Sequence, residues 1–170
     1  MIWKKALSLI LVFCVLVHPC QAEDLEGCLS SAFELFTSET HAADVEYSQD
    51  LIQAQADKDY AIQNAVRVAE VAIATLLAIH AGQTAMCIAT YGGLPPPFNT
   101  TAMSICFAEI AAMMQLELDA IAAVFASAML SIEAIYLYQI LVAQSEWFAA
   151  CENVSEAYET RKNFCHTLYP

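Results

Sequence analysis

The residues best suited to chemistry in this 170-residue chain are its cysteines, because thiols form disulfides, bind metals or act as nucleophiles. Cys28 and Cys165 are placed symmetrically about the same midpoint as Cys87 and Cys106, and that midpoint falls within residues 94–97, Leu-Pro-Pro-Pro. A chain that runs out as helix, turns at these prolines and returns as helix brings both pairs level. The spacing therefore predicts two disulfides, Cys28–Cys165 and Cys87–Cys106, one near each end of an antiparallel helical hairpin.

Cys151 has no symmetric partner cysteine. Three interpretations stay open: an inert, buried thiol, an intermolecular disulfide, or a replacement for Cys165 as the partner of Cys28. A thiol nucleophile assisted by His166 is the catalytic alternative. It would need a third, orienting group and a cleft, and the sequence indicates neither.

No other pattern predicts an enzyme, a cofactor or a metal site. The sequence has no serine nucleophile elbow, no His-Glu-x-x-His, no glycine-rich phosphate loop and no Cys-x-x-Cys. His41, His80 and His166 are far apart in the chain, and no Glu-x-x-His pair typical of di-iron bundles occurs. His80 lies in an apolar helical stretch, where we expect a hydrogen-bonded core histidine.

The N-terminus has the pattern of a secretory signal. Two lysines precede an apolar run at residues 6–17, and small residues follow at the positions that a signal peptidase prefers. The run is shorter than the ~20 residues of a membrane-spanning anchor. We therefore expect a cleaved signal peptide over residues 1–22, a single domain over 23–170, and a secreted, extracellular protein.

The predicted mature chain is strongly acidic. Without the two lysines of the signal peptide it has four basic residues against 19 acidic ones, a formal charge of −15. Such a surface repels phosphate backbones, which excludes nucleic acid as a partner, and it disfavours attachment to anionic lipid. Asn99-Thr-Thr and Asn153-Val-Ser are sequons, so both asparagines are predicted N-glycosylation sites of an exported protein.

The helices must position all of these residues. Gly and Pro cluster at 92–97, and the remaining segments are rich in good helix formers. No stretch alternates apolar and polar residues as a strand would. The sequence therefore predicts an all-α domain with a central turn near 92–99. We expect a short helix at 25–36 that ends at the Thr and Ser residues of 37–41, and a long helix over about 42–90. The return helix begins near Thr100 or Thr101, and a separate last helix begins with Ser145 as its N-cap.

The long first helix carries an apolar seam with the 4-3-4-3 spacing of packed helices. Continued as far as Cys87, the seam consists of Ile62, Val66, Ala69, Ile73, Leu76, His80, Gln83 and Cys87. Two arrangements fit: a single long antiparallel hairpin, or an up-down helical bundle clipped by disulfides at both ends. The amount of apolar surface favours a bundle, formed within one chain or by dimerisation of hairpins.

No charged residue occurs from Val71 through Ala108, and none from Ala120 to Leu130. Such apolar helices are buried somewhere. A bilayer is disfavoured, because a transmembrane hairpin would place Asn99 and the Cys87–Cys106 pair on the reducing side.

Two functions remain. The first is a non-enzymatic protein that acts by contact with a protein partner or by self-association, as a homodimer, through this uncharged apolar half. The second is an extracellular carrier of a hydrophobic small molecule or lipid. The predicted lining of the carrier's cavity is Ile73, Met86, Met113 and Phe125.

The chain also resembles the insect secreted helical domain family first named from a tsetse-fly Glu-Pro-repeat protein. The resemblance covers Cys28 to Cys165. It is carried by Cys28 with the following Asp44-Val45-Glu46-Tyr47, the central Cys87 and Cys106, and the terminal Cys151-x13-Cys165. It implies a secreted protein of the gut or of a body fluid, and it transfers no functional residue beyond these cysteines.

Overall fold

The computed structural model describes residues 24–170, so the predicted signal peptide at 1–22 lies outside the described residues. Two helices, α1 (Leu25–Tyr91) and α2 (Phe98–Leu168), pack against each other, and this part of the chain contains no strand. The all-α prediction is confirmed in its hairpin form. A four-helix bundle within one chain is not formed.

The predicted break at residues 37–41 is wrong, because the hydroxyl groups there do not cap a new helix. Thr37 Oγ1 donates to the carbonyl oxygens of Phe33 and Glu34, at 3.1 and 2.9 Å, and Thr40 Oγ1 donates to that of Phe36 at 2.8 Å. These bonds point back into the preceding turn, which lets the helix continue.

Of the two predicted helix starts in the second arm, the one at Ser145 is wrong, and the one near Thr100 or Thr101 lies two or three residues after the observed start. Ser145 lies inside α2, where partly buried Trp147 and buried Ala143 keep its segment packed. Helix α2 begins at Phe98 rather than at Thr100, whose hydroxyl donates to the carbonyl oxygen of Pro97 at 2.7 Å. The second arm is therefore one helix from the turn to its end.

The turn depends on a close backbone approach at Gly92. Its amide donates to the carbonyl oxygen of Ile88 at 2.8 Å, and a Cβ at Gly92 would lie 2.6 Å from that oxygen. At the next residue, Gly93, an added Cβ would meet nothing within 4 Å. Gly92 is thus the glycine that closes the turn.

The chain divides into two units, each built from both helices. The terminal unit contains residues 24–50 and Val142–Pro170, and the central unit contains Leu51–Leu141. Both disulfides, the charged contacts between the helices and the grooves described below each lie within one unit.

In the central unit the seam of α1 repeats every 11 residues in steps of 4, 4 and 3. Its partly or fully buried positions are Ala54, Lys58, Ala61, Ala65, Ala69, Ala72, Leu76, His80, Gln83 and Cys87. The predicted 4-3-4-3 seam is wrong at Val66 and Ile73, which are 38% and 37% exposed. Eleven residues in three turns is about 3.67 per turn, close to the 3.6 of a free helix, so the seam stays on one face without underwinding.

Candidate interaction surface

Both predicted disulfides are formed. The Cα atoms are 5.7 Å apart in Cys28–Cys165 and 6.2 Å apart in Cys87–Cys106, and Cys28, Cys87 and Cys165 are buried. Two such bonds point to an oxidising environment.

Cys151 is the free cysteine of the described residues, and it is partly buried on α2 in the terminal unit. His166 follows it 15 residues later on the same helix, about 22 Å along the axis. The catalytic pairing considered for these two residues is therefore not formed. Within residues 24–170, no three His, Cys, Asp or Glu side chains are grouped so as to hold a metal ion.

The terminal unit joins its helices through polar and aromatic contacts. The Arg161 guanidinium donates to both carboxylate oxygens of Glu39, each at 2.8 Å. Trp147 Nε1 donates to Asp44 Oδ1 at 2.9 Å, and the rings of Phe36 and Tyr158 lie 5.0 Å apart between centroids. Because each of these contacts requires a particular pair of side chains, together they fix the register of α1 against α2 within the terminal unit.

The central unit has two charged contacts between its helices. Lys58 Nζ lies 2.6 Å from Glu133 and 4.2 Å from the centre of the Tyr136 ring. His80, which is 5% exposed, holds Nε2 at 2.9 Å from Glu117. Its Nδ1 is buried with no hydrogen-bond partner among the described residues, so the core position predicted for His80 is confirmed, with one ring nitrogen paired.

The outer surface of the central unit is apolar. Of the 28 large hydrophobic side chains that are exposed in residues 24–170, 21 belong to this unit, which also contains the uncharged stretch 71–108. Only five of its 91 residues are buried: Ala54, Leu76, His80, Cys87 and Ile110. Two helices alone leave most of this apolar surface in contact with water.

A groove of about 620 Å³ runs between the helices of the central unit, and we call it the Ala groove. Six alanines leave its volume empty: Ala61, Ala65, Ala69, Ala72, Ala120 and Ala128. Six larger side chains complete the apolar lining: Tyr60, Val68, Ile121, Val124, Phe125 and Ile132. Asn64 is the remaining lining residue, so the groove carries no charge.

Two smaller grooves lie nearer the turn. One, of about 290 Å³, lies beside the Cys87–Cys106 bridge and includes Met86, Met113 and Glu109. The other, of about 410 Å³, includes His80 and Met114.

The four side chains predicted to line one ligand cavity are not brought together. Phe125 lines the Ala groove, Met86 and Met113 line the groove beside the disulfide, and Ile73 is absent from both linings. Sequence reasoning gave weight to large adaptable side chains and missed the alanines. The signal that identifies the Ala groove is alanine repeated at the 4-4-3 spacing of α1.

The two sequons lie on α2. Asn99 is partly buried in the first turn of the helix, and its Oδ1 accepts the amide of Thr100 at 2.7 Å. Asn153 is exposed in the interior of the helix. Glycosylation of either asparagine stays a prediction.

Both helices are long and apolar enough to cross a membrane by length and composition. The most apolar 18-residue stretch of each helix is mostly exposed, 17% buried in α1 and 0% in α2, so these stretches differ from the buried core helices that meet the same criteria. Two such helices, judged by length and composition alone, are weak evidence for a membrane protein.

Comparison with family models, with curated proteins and with solved structures finds no significant match for this chain.

Proposed function

We propose that this chain is a secreted, non-enzymatic helical protein that acts by protein–protein contact or self-association through the apolar surface of its central unit. The observation that carries the proposal is the concentration of exposed apolar side chains there, 21 of 28. Contiguous apolar surface in water is costly, and in soluble proteins it marks interaction sites. A protein that covers the central unit gains that free energy on binding.

Secretion is supported by three independent features. The N-terminal segment has the pattern of a signal peptide, two sequons are present, and two disulfides join the helices. The strong negative charge keeps such a chain soluble until its apolar surface meets a partner. The resemblance to the tsetse-derived insect family agrees with this proposal and suggests a gut or body-fluid protein.

A carrier of a hydrophobic small molecule or lipid is the second candidate, and the Ala groove is the observation that favours it. Its volume of about 620 Å³ falls within the range of ligand pockets, about 300–1,000 Å³. Its lining is apolar, and Asn64 and Tyr60 supply polar groups that are able to orient a hydroxyl or carbonyl head.

A transmembrane hairpin is disfavoured by the carboxylates that accompany the uncharged part of α1. Glu117 bonds His80, and Glu109 lines the groove that Gln83 and Met86 also line. A bilayer span that contained residues 71–91 would carry both carboxylates into hydrocarbon, which is expensive.

Native mass spectrometry of the protein secreted from eukaryotic cells, without detergent, separates these candidates. A ligand-free dimer, or a specific complex with a protein, is expected. A monomer with a discrete extra mass that is lost on denaturation and is not a glycan would replace this proposal with the carrier function.

A further inference from the structure

The Ala groove has a floor and two walls but no roof, because every lining residue comes from α1 or α2. Its alanines form the hollow, and Val68 and Val124 stand exposed among its lining residues, at 59% and 70%. A surface that carries a hollow and neighbouring ridges can pack against its own copy about a twofold axis, each ridge entering the partner's hollow.

The charge of the groove restricts what fits there. None of its 13 lining residues is charged, so a partner that brought carboxylates or ammonium groups would bury them unpaired. The mature chain is predicted to carry a charge of −15, yet the central unit offers an uncharged face of its own. The Arg67 guanidinium donates to Asn64 Oδ1 at 3.0 Å, so the amide nitrogen of Asn64 is the group that remains to donate to a partner.

A standard interface buries about 800 Å² per partner and takes about 20–30 residues from each side. The groove alone supplies 13 lining residues, and the central unit exposes 21 large hydrophobic side chains in all.

A second helix pair also covers the groove better than a small molecule does. Ligand pockets bury about 70–90% of their ligand, which a groove without a roof cannot do. Two helices of a second copy would supply the missing roof along the whole groove and complete a four-helix bundle.

We propose that the Ala groove is a homodimer interface, in which the same face of a second copy of this chain packs with Val68 and Val124 against the alanine hollow. This inference rests on the proposed function and deepens it by naming the partner and the face.

The test uses the secreted mature protein and two matched double variants. Val68→Glu with Val124→Glu puts carboxylates at the groove. Leu77→Glu with Leu130→Glu puts the same charges on side chains of similar exposure, 53% and 74%, outside the groove lining. Dimerisation is measured by analytical ultracentrifugation and native mass spectrometry, and folding by far-UV circular dichroism and Trp147 fluorescence.

The wild type is expected to be a ligand-free dimer. The groove variant is expected to weaken the dimer by at least about 100-fold without loss of helix, and the outer variant to dimerise as the wild type does. Mixing the groove variant with Val68→Lys/Val124→Lys is expected to restore a mixed dimer. This rescue does not depend on the direction in which the copies pack, since one copy is then acidic and the other basic at both positions.

Three results would overturn the inference, and each bears differently on the proposed function. A dimer that survives the groove variant but not the outer one places self-association on another face and leaves the proposed function standing. A ligand-free monomer at millimolar concentration excludes the second copy as partner, so that contact with a different protein is what remains of the proposed function. A monomer that retains a small molecule overturns both.

Discussion

The terminal and central units are built from the same two helices, yet they differ in what joins the helices and in what covers them. In the terminal unit a bidentate Arg161–Glu39 pair and aromatic pairs join α1 to α2, and a small pocket there includes Glu46, Asp50 and Glu146. In the central unit alanines occupy much of the α1 seam, and the outer surface is apolar. The helices of the terminal unit are thus joined by specific polar and aromatic contacts, whereas the central unit exposes 21 of the 28 large hydrophobic side chains that are exposed in residues 24–170.

The pairing of the two helices and the exposure of apolar surface are therefore concentrated in different units of the hairpin. Specific polar contacts fix the pairing of the helices where no partner is needed. In the central unit large hydrophobic side chains point outward, where we propose that a partner binds. Each prediction below tests one side of this contrast.

Removal of the disulfides should produce the largest effects. On the chain-entropy model, Cys28→Ser/Cys165→Ser should lower the free energy of unfolding by about 5 kcal/mol, and Cys87→Ser/Cys106→Ser should lower it by about 3 kcal/mol. The two values differ because the first bridge spans 137 residues of the chain and the second spans 19. Urea unfolding in a Cys151→Ser background, which prevents disulfide exchange, measures both. A greater loss from the shorter bridge would show that the central unit depends on its covalent link more than the terminal unit does.

The ion pair of the terminal unit should likewise contribute more to the free energy of unfolding than the ion pair of the central unit. Arg161→Met should cost about 1–2 kcal/mol, because it strands the partly buried Glu39 carboxylate. Lys58→Met should cost at most about 0.5 kcal/mol, because Glu133 is half exposed and the Met side chain still covers Tyr136. Double-mutant cycles with Glu39→Gln and Glu133→Gln isolate each coupling energy. Equal couplings would remove polar specificity as a distinction between the units.

The smallest effect is expected at His80. His80→Leu should change the free energy of unfolding by less than about 0.5 kcal/mol, because it removes an incompletely paired buried ring and leaves Glu117 solvated. His80→Ala, the control, should cost about 2 kcal/mol through the cavity that it creates. If His80→Leu proves as damaging as His80→Ala, the bond to Glu117 is a specific contact of the kind found in the terminal unit.

The cysteines and prolines predict the hairpin and both disulfides, because covalent reach and backbone geometry are strict constraints. The amount of apolar surface instead favours a bundle, which residues 24–170 do not form within one chain. Helix boundaries were less predictable. Thr37 and Thr40 are equally suited to cap a helix or to bond back inside one, and long-range packing decides between these. The predicted 4-3 seam differs from the observed 4-4-3 seam because the two spacings share members over short windows, such as Leu76, His80, Gln83 and Cys87.

The uncharged stretch 120–130 predicts an apolar surface on α2 and contains five lining residues of the Ala groove, but of the longer uncharged stretch 71–108 only Ala72 lines it, so the location of the site was not predicted. A groove is defined by missing volume, and alanine gives a weak signal for that, since it is also the best helix former. Phe125 was found because large side chains stand out in a sequence. Ala65 and Ala69 can be recognised as groove residues only once the position of α2 beside them is known.

The 11-residue period in the central unit has a consequence for how this protein can change in length. Between the two bridges, an insertion in one arm alone would move one cysteine out of reach of the other, and an insertion that is not close to a whole number of helical turns would rotate the seam away from the opposite helix. Matched insertions of about 7, 11 or 18 residues, one in each arm, satisfy both conditions, because they are about two, three and five turns of 3.6 residues. Length variants with such paired blocks should therefore keep both disulfides.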